Sequence, residues 1–251
     1  MFDAHCHVDR LPDSAAVLQR ARVAGVVDVL VAGVNPAGWR QQLALQRDGV
    51  HLALGLHPWA VAETPEGWRE ELEGHLDASP IVAIGETGLD FGKRMSPDSF
   101  PAQVEAFKTH LALAERYALP LVLHVVSAHA RMLELLSEVS PLSSGGMVHA
   151  FSGSAEQALQ YVRHGLHVSI CGSVTDPRRR KLRRAIEALP SDRILVETDA
   201  PDQTPIDRRP DPNEPAFLID VVAAVAEARG ETPEAVARQT TQNAKRLFRI
   251  R

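Results

Sequence analysis

The sequence predicts a single-domain (β/α)8 TIM barrel over residues 1–251, with an extra C-terminal helix. Three observations lead there. Apolar, β-branched runs recur eight times, stretches with helical spacing separate them, and polar residues fall at the C-terminal ends of the runs. Alternating strand and helix implies parallel pairing with right-handed crossovers. Eight such units in 251 residues match a barrel in size and count. An open doubly wound sheet is the competing architecture, but the early Gly-rich phosphate turn it needs is missing.

The predicted strands are Phe2–Val8, Val26–Ala32, Leu52–Leu56, Ile81–Gly85, Leu121–Val125, Gly146–Ala150, His167–Gly172 and Ile194–Thr198. Helical spacing marks Ser14–Ala24, Pro101–Tyr117, Ala128–Val139, Ala155–His164 and Arg178–Leu189. Pro65 and Pro97 suit first-turn positions, and Ser154 and Asp176 suit N-caps. A last helix, about Pro233–Phe248, is expected to pack over the outside with the apolar Val221, Val222, Val225 and Leu247, which requires no dimer.

Composition narrows the class. With 45% hydrophobic and 24% charged residues the chain reads as globular. A net charge of −5 argues against a generally basic, nucleic-acid-coating protein, though a local patch could still grip phosphates. Two cysteines, Cys6 and Cys171, suit a reducing cytoplasm rather than a disulfide scaffold. No leader-like segment precedes Phe2 and no apolar run approaches a membrane span, so the expectation is a cytoplasmic protein without a membrane or an obligate protein partner.

His5 and His7 stand one residue apart in the first strand, so their side chains share a face, with Cys6 opposite them in the core. His57 follows strand three, Glu86 closes strand four, His124 and His149 lie near the ends of strands five and six, and Asp199 ends strand eight. In such a barrel the C-terminal rim is where active sites are built, so these positions converge in space. Even without His57, four imidazoles and two carboxylates exceed the needs of one tetrahedral ion. Two divalent ions bridged by a carboxylate would use them all, and such a site activates water and clamps the oxygens of a displacement at phosphorus or carbon. Mixed nitrogen and oxygen ligands favour zinc, manganese, iron or cobalt, with magnesium a poorer match for imidazole.

Asp3-Ala4-His5-Cys6-His7, Gly55-Leu56-His57-Pro58, Gly85-Glu86-Thr87-Gly88-Leu89-Asp90, His149-Ala150-Phe151-Ser152-Gly153-Ser154 and Glu197-Thr198-Asp199-Ala200-Pro201 resemble, in order and spacing, the motifs of the TatD family of metal-dependent deoxyribonucleases, which are amidohydrolase-like barrels. Asn213-Glu214-Pro215 resembles a further family motif, so the likeness spans residues 3 to 215. The resemblance implies that His5, His7 and Asp199 hold one metal, that His124 and His149 hold the second, and that Glu86 bridges. Asp199 would also orient or deprotonate the attacking water. The chain departs from the family at Trp59 (commonly histidine), Val126 (often arginine), Ser127 (often acidic) and Phe91 (often tyrosine). None of these touches the six ligands; all could touch the substrate.

Other rim residues carry two readings each. His57 suits contact with a phosphate or leaving group, or a bond that fixes its loop. Ser152, with Gly153 and Ser154, opens a helix whose free N–H groups could take an anion or simply be capped. Glu197 and Asp90 suit orientation of neighbouring rim groups, or plain capping and ion pairing. Six cations fall within Arg178–Arg184, either as a solvated helix face or, starting at Arg178, as a grip on a phosphate backbone. Trp59 suits packing or base stacking. The resulting expectation is a hydrolase of ester bonds, a TatD-type deoxyribonuclease cleaving DNA phosphodiesters from a 3′ end. Alternatives are a carboxylic-ester or D-aminoacyl-tRNA deacylase at the same two-metal site, and a non-catalytic metal- or nucleic-acid-binding barrel.

Overall fold

Eight short strands follow one another around a single sheet in chain order, each parallel to the next. They are β1 (Phe2–Cys6), β2 (Asp28–Ala32), β3 (Val50–Leu54), β4 (Ala83–Asp90), β5 (Leu121–Val126), β6 (Gly146–Val148), β7 (Leu166–Ile170) and β8 (Ile194–Val196). The computed structural model describes residues 1–139 and 141–251. A helix follows every strand: α1 (Ser14–Val23), α2 (Pro36–Leu43), α3 (Trp68–Ala78), α4 (Phe100–Tyr117), α5 (His129–Val139), α6 (Ala155–Arg163), α7 (Arg180–Ala188) and α8 (Leu218–Arg229). The extra C-terminal helix is α9 (Pro233–Leu247). The architecture is therefore the TIM barrel that the sequence predicts. The ring closes beyond the ladders, where Asp199 N–H donates to His5 O (2.9 Å) and His7 N–H to Ala200 O (2.7 Å).

Alternation along the strands divides the core in two. Leu30, Ala53, Val122, Met147 and Leu195 point inward and form one cluster with Phe2 and Ala4. Their neighbours Val29, Val31, Leu52, Leu54, Leu121, Leu123, Val148, Ile194 and Val196 point outward, under the helices. Ala244, Leu247 and Phe248 at the end of α9 join the inner cluster, and Phe248 stacks on Phe2 at 5.9 Å, so α9 plugs the N-terminal floor. No helix among the described residues is long and apolar enough to cross a membrane.

Several local expectations are corrected. β4 runs on through Asp90 although Glu86-Thr87-Gly88 has poor strand propensity, because Thr87 to Asp90 pair with Leu123 to Val126 of β5. Pro65 is not a first-turn residue: α3 starts at Trp68 after Gly67, whose positive φ (+94°) turns the chain into the helix. Asp176 does not cap α7; it accepts instead from the Arg178 backbone and side chain. Ser154 does cap α6, in a reciprocal pair of bonds with Gln157.

Candidate metal centre

The strands aim side chains into the mouth in two ways. On β5, β6 and β8 simple alternation suffices: inward Val122, Met147 and Leu195 are each followed two residues on by His124, His149 and Glu197. On β1 and β4 it does not. Pairing with β2 slips between Asp3 and Cys6, which sends Cys6 and Val8 to the outer core and leaves His5 and His7 facing the mouth. Pairing of β4 with β5 slips between Ile84 and Thr87 and frees Glu86 to face inward. Such irregularities re-aim side chains beside active sites. The one in β4 needs glycine: Gly85 has φ +147°, and a Cβ there would lie 2.6 Å from Val122 O. Facing it, a Cβ on Gly55 would lie 2.7 Å from the Gly85 Cα.

Asp199 follows β8 in the left-handed region (φ +59°), which aspartate tolerates better than most residues. Both sides of its turn are fastened. Asp3 accepts from Thr198 N–H and hydroxyl, and the Asn213 amide donates at 2.7 Å to both Thr198 O and Asp202 O. The Asn-Glu-Pro segment thus holds the Asp199 loop, and Glu214 pairs with Arg20 of α1 (2.6 Å).

The side chains meet around Glu86. Its Oε2 lies 3.4 Å from His5 Nε2 and 3.3 Å from His7 Nε2. Its Oε1 lies 2.7 Å from His124 Nδ1, 2.7 Å from His149 Nε2 and 3.1 Å from His57 Nε2. Asp199 Oδ1 approaches His5 Nε2 to 3.5 Å, and His5 and His7 bring their Nε2 atoms to 3.2 Å of each other. Three overlapping sets of potential ligands result: His5, His7 and Asp199; His5, Glu86 and His149; His57, Glu86 and His124. All are buried.

The outer nitrogens show which imidazoles offer lone pairs inward. His7 Nδ1 donates to Ala32 O (3.0 Å) and His124 Nε2 to Asp90 Oδ2 (3.4 Å), while His149 Nδ1 faces Glu197 Oε1 at 3.5 Å. His7 and His124 thereby turn their other nitrogen toward Glu86, the usual preparation of a metal-binding histidine, whereas His149 Nδ1 makes no hydrogen bond. His5 Nδ1 has no partner. His57 is prepared oppositely, since its Nδ1 accepts from Trp59 N–H (3.0 Å). As a neutral ring it must then donate from Nε2 to Glu86 Oε1, so we assign it as a prop for the carboxylate despite its ligand-like distance.

Electrostatics agree with a cation-binding centre. Burial alone would raise Glu86, but the imidazoles of His149, His57 and His5 outweigh it and hold the carboxyl well below the usual range. Burial pushes His5 and His57 down to about 4. His149 moves the other way: burial opposes its charge, but Glu86 and Glu197 overcome that. Burial lifts Asp199 to about 7, with His149 and His7 pulling against the rise and Glu197 adding to it. Imidazoles converging on one ionised buried carboxylate, with two buried ring nitrogens (His5 Nδ1 and His149 Nδ1) left without hydrogen-bond partners, fit divalent cations, which bind as protons leave.

Above the centre opens a cleft of about 1170 Å³. His57, Ser152, Trp59 and Val126 are among the residues that line it. Arg178 does not line it: its guanidinium is bidentate on Asp176, and the neighbouring Arg179 faces the cleft instead. Arg209, from the Pro- and Arg-rich loop after β8, lines it too, as do Arg10 and Arg94, which neither sequence pattern nor motif singles out.

A family model described as TatD related DNase matches residues 2–249. The chain belongs to this family. A 3'-5' ssDNA/RNA exonuclease TatD from Erwinia billingiae is 39% identical, covering 95% of this chain and 94% of its own. An uncharacterized metal-dependent hydrolase, YabD of Bacillus subtilis, is 34% identical over 100% of this chain and 99% of its own. Among solved structures the TatD homologue YJJV of Escherichia coli superposes with a TM-score of 0.94 at 35% identity, covering 100% of this chain and 98% of that one. This TatD-related chain is thus a metal-dependent hydrolase acting on ester bonds, and the histidine–carboxylate cluster is its candidate metal-binding region.

Proposed function

We propose that the centre holds two divalent cations and that the enzyme shortens single-stranded DNA or RNA from the 3′ end. The observation that carries the two-ion reading is the division of Glu86: one carboxylate oxygen faces His5 and His7, the other His124 and His149. One ion would take His5, His7, Asp199 and Oε2 of Glu86, and the other His124, His149 and Oε1. The imidazole-rich set suits zinc, manganese, iron or cobalt better than magnesium. When bound, such ions polarise phosphoryl oxygens and make water a nucleophile at neutral pH.

The chain's own residues do the rest. Asp199 lies at the cleft floor, where it orients the attacking water and accepts its proton. The attacking oxygen joins phosphorus, one P–O bond breaks, and the leaving oxygen takes up a proton. His57 steadies the bridging carboxylate, and Ser152 and Arg179 serve as phosphate contacts on the cleft wall. The nucleic-acid substrate is supported by relatives that bear the name 3'-5' ssDNA/RNA exonuclease. Buried, unpaired Cys6 and Cys171 support a reducing cytoplasm.

The test is shortening of a 5′-labelled single-stranded oligonucleotide by metal-stripped protein, before and after zinc, manganese, cobalt or magnesium is restored, beside Asp199→Asn. Metal-dependent, Asp199-dependent loss of 3′ nucleotides is expected. Hydrolysis of a carboxylic ester or charged tRNA without oligonucleotide cleavage would overturn the nucleic-acid reading while keeping the centre.

A further inference from the structure

Trp59 is the largest exposed aromatic surface at the mouth, 47% accessible although it stands over a buried centre. It is not loose. Its indole N–H donates to Asp90 Oδ2 at 2.6 Å, its backbone N–H to His57 at 3.0 Å, and its ring meets the His57 ring edge-on at 4.5 Å. Asp90 is itself held, accepting from Gly92 N–H (2.7 Å) and from His124. A flat ring fixed at its edge, with an open face beside the reacting centre (5.7 Å from the His124 ring), is a stacking platform that loses little freedom on use.

Its place in the ring gives direction. In an eight-strand barrel, units four apart stand opposite each other. Trp59 follows β3 and Val126, 40% exposed, ends β5, so one arc of the mouth is apolar, with Arg94 beside it after β4. Across the cleft, the segments after β7, β8 and β1 carry Arg179, Arg209 and Arg10, interspersed with Asp9, Asp202 and Asp211, and Arg10 lies 3.7 Å from Asp202 Oδ2. A departing terminal nucleotide brings one base, whereas the body of the strand brings a phosphate per residue. The apolar arc suits the first, and the arginines on the facing side, Arg179 and Arg209 foremost, suit the second.

Building on the nuclease reading above, we propose that Trp59 stacks the base of the departing 3′ nucleotide and that the strand's body leaves across the Arg179–Arg209 side. Trp59 is therefore a substrate-selecting residue, and its indole N–H, through Asp90, also steadies His124.

The test uses the metal-loaded full chain on single-stranded oligonucleotides ending either in a normal nucleotide or in an abasic (tetrahydrofuran) one. Base stacking corresponds to about a tenfold or larger change in KM. Trp59→Ala and the abasic terminus should each raise KM by about that factor, and together no further than either alone. Trp59→Phe, which keeps a ring but loses the N–H, should retain most of the KM and lower kcat, separating stacking from the steadying of Asp90 and His124. If the two single effects multiply, or Trp59→Phe raises KM as much as Trp59→Ala, the proposal is overturned. A wild-type enzyme that shortens no oligonucleotide would instead overturn the nuclease reading itself.

Discussion

The two ends of the barrel hold the same residue types in opposite states. At the floor, His51 Nε2 lies 3.0 Å from Asp28 Oδ1, Lys245 brings its ammonium to the same carboxylate at 3.5 Å, and the His51 ring stacks on Phe2. At the mouth, His5, His7, His124 and His149 turn ring nitrogens toward one another and toward a single carboxylate, and neither His5 Nδ1 nor His149 Nδ1 has a hydrogen-bond partner. Burying groups in that arrangement is costly unless something positive enters. The contrast teaches that histidine and carboxylate content says little. Function resides where their hydrogen-bonding capacity is left unmet and convergent.

The sharpest way to break the contrast is to remove the carboxylate on which the mouth converges. Glu86→Ala should fold, as judged by circular dichroism, and lose about 10³-fold or more in turnover, because on the proposed two-ion reading several kcal/mol of transition-state charge stabilisation depends on its bridging carboxylate. Substantial turnover by a folded, metal-analysed Glu86→Ala protein would sink the two-ion centre. A smaller effect lies one layer out. Glu197→Gln keeps an acceptor for Ala150 N–H but removes the charge behind His149, so cation affinity by chelator competition should weaken about 10- to 100-fold.

The same contrast explains what the sequence could and could not reveal. His124 and His149 were legible because β5 and β6 keep strict alternation, so an inward apolar residue forecasts an inward histidine two places on. His5, His7 and Glu86 are legible from spacing, strand-end position and motif, but not from the inward alternation of their strands. Simple alternation from inward Phe2, Ala4 and Ala83 would turn all three outward, and the slips in β1 and β4 reverse this. The prop role of His57 depends on a bond from the Trp59 backbone, which no spacing rule contains. The basic run was read one residue early, at Arg178, because nothing local signals that Asp176 captures that side chain and leaves Arg179 to the cleft. The eighth helix, α8, drew no forecast of its own: it is apolar nearly all round, and burial between α7 and α9 erases the periodic signal.

Away from the mouth, a buried histidine with its bonds met should act on stability alone. His110 on α4 donates from Nδ1 to Ala106 O (2.6 Å) and accepts Leu56 N–H at Nε2 (3.0 Å). Burial lowers it to about 4, against 6.5 in the unfolded chain, so between those values only the unfolded state takes the proton. Its contribution is complete above pH 6.5 and is lost as pH falls toward 4. Compared with His110→Leu by chemical denaturation, the wild-type advantage should shrink by about 3 kcal/mol between pH 7 and pH 4. A pH-independent difference would show that folding leaves the His110 pKa where it is in the unfolded chain.

The smallest effect belongs to the floor. His51→Ala removes one partly buried bond to a carboxylate that keeps Lys245, together with a ring face on Phe2. A loss of about 1 kcal/mol in unfolding free energy is expected. Turnover and cation affinity should stay at wild-type values, because the inner apolar cluster of Leu30, Ala53, Val122, Met147 and Leu195 separates floor from mouth. If His51→Ala instead lowers turnover beyond what its stability loss predicts, the two ends are mechanically coupled through that cluster, and β1, which carries Phe2 at one end and His5 at the other, is the element that would transmit the change.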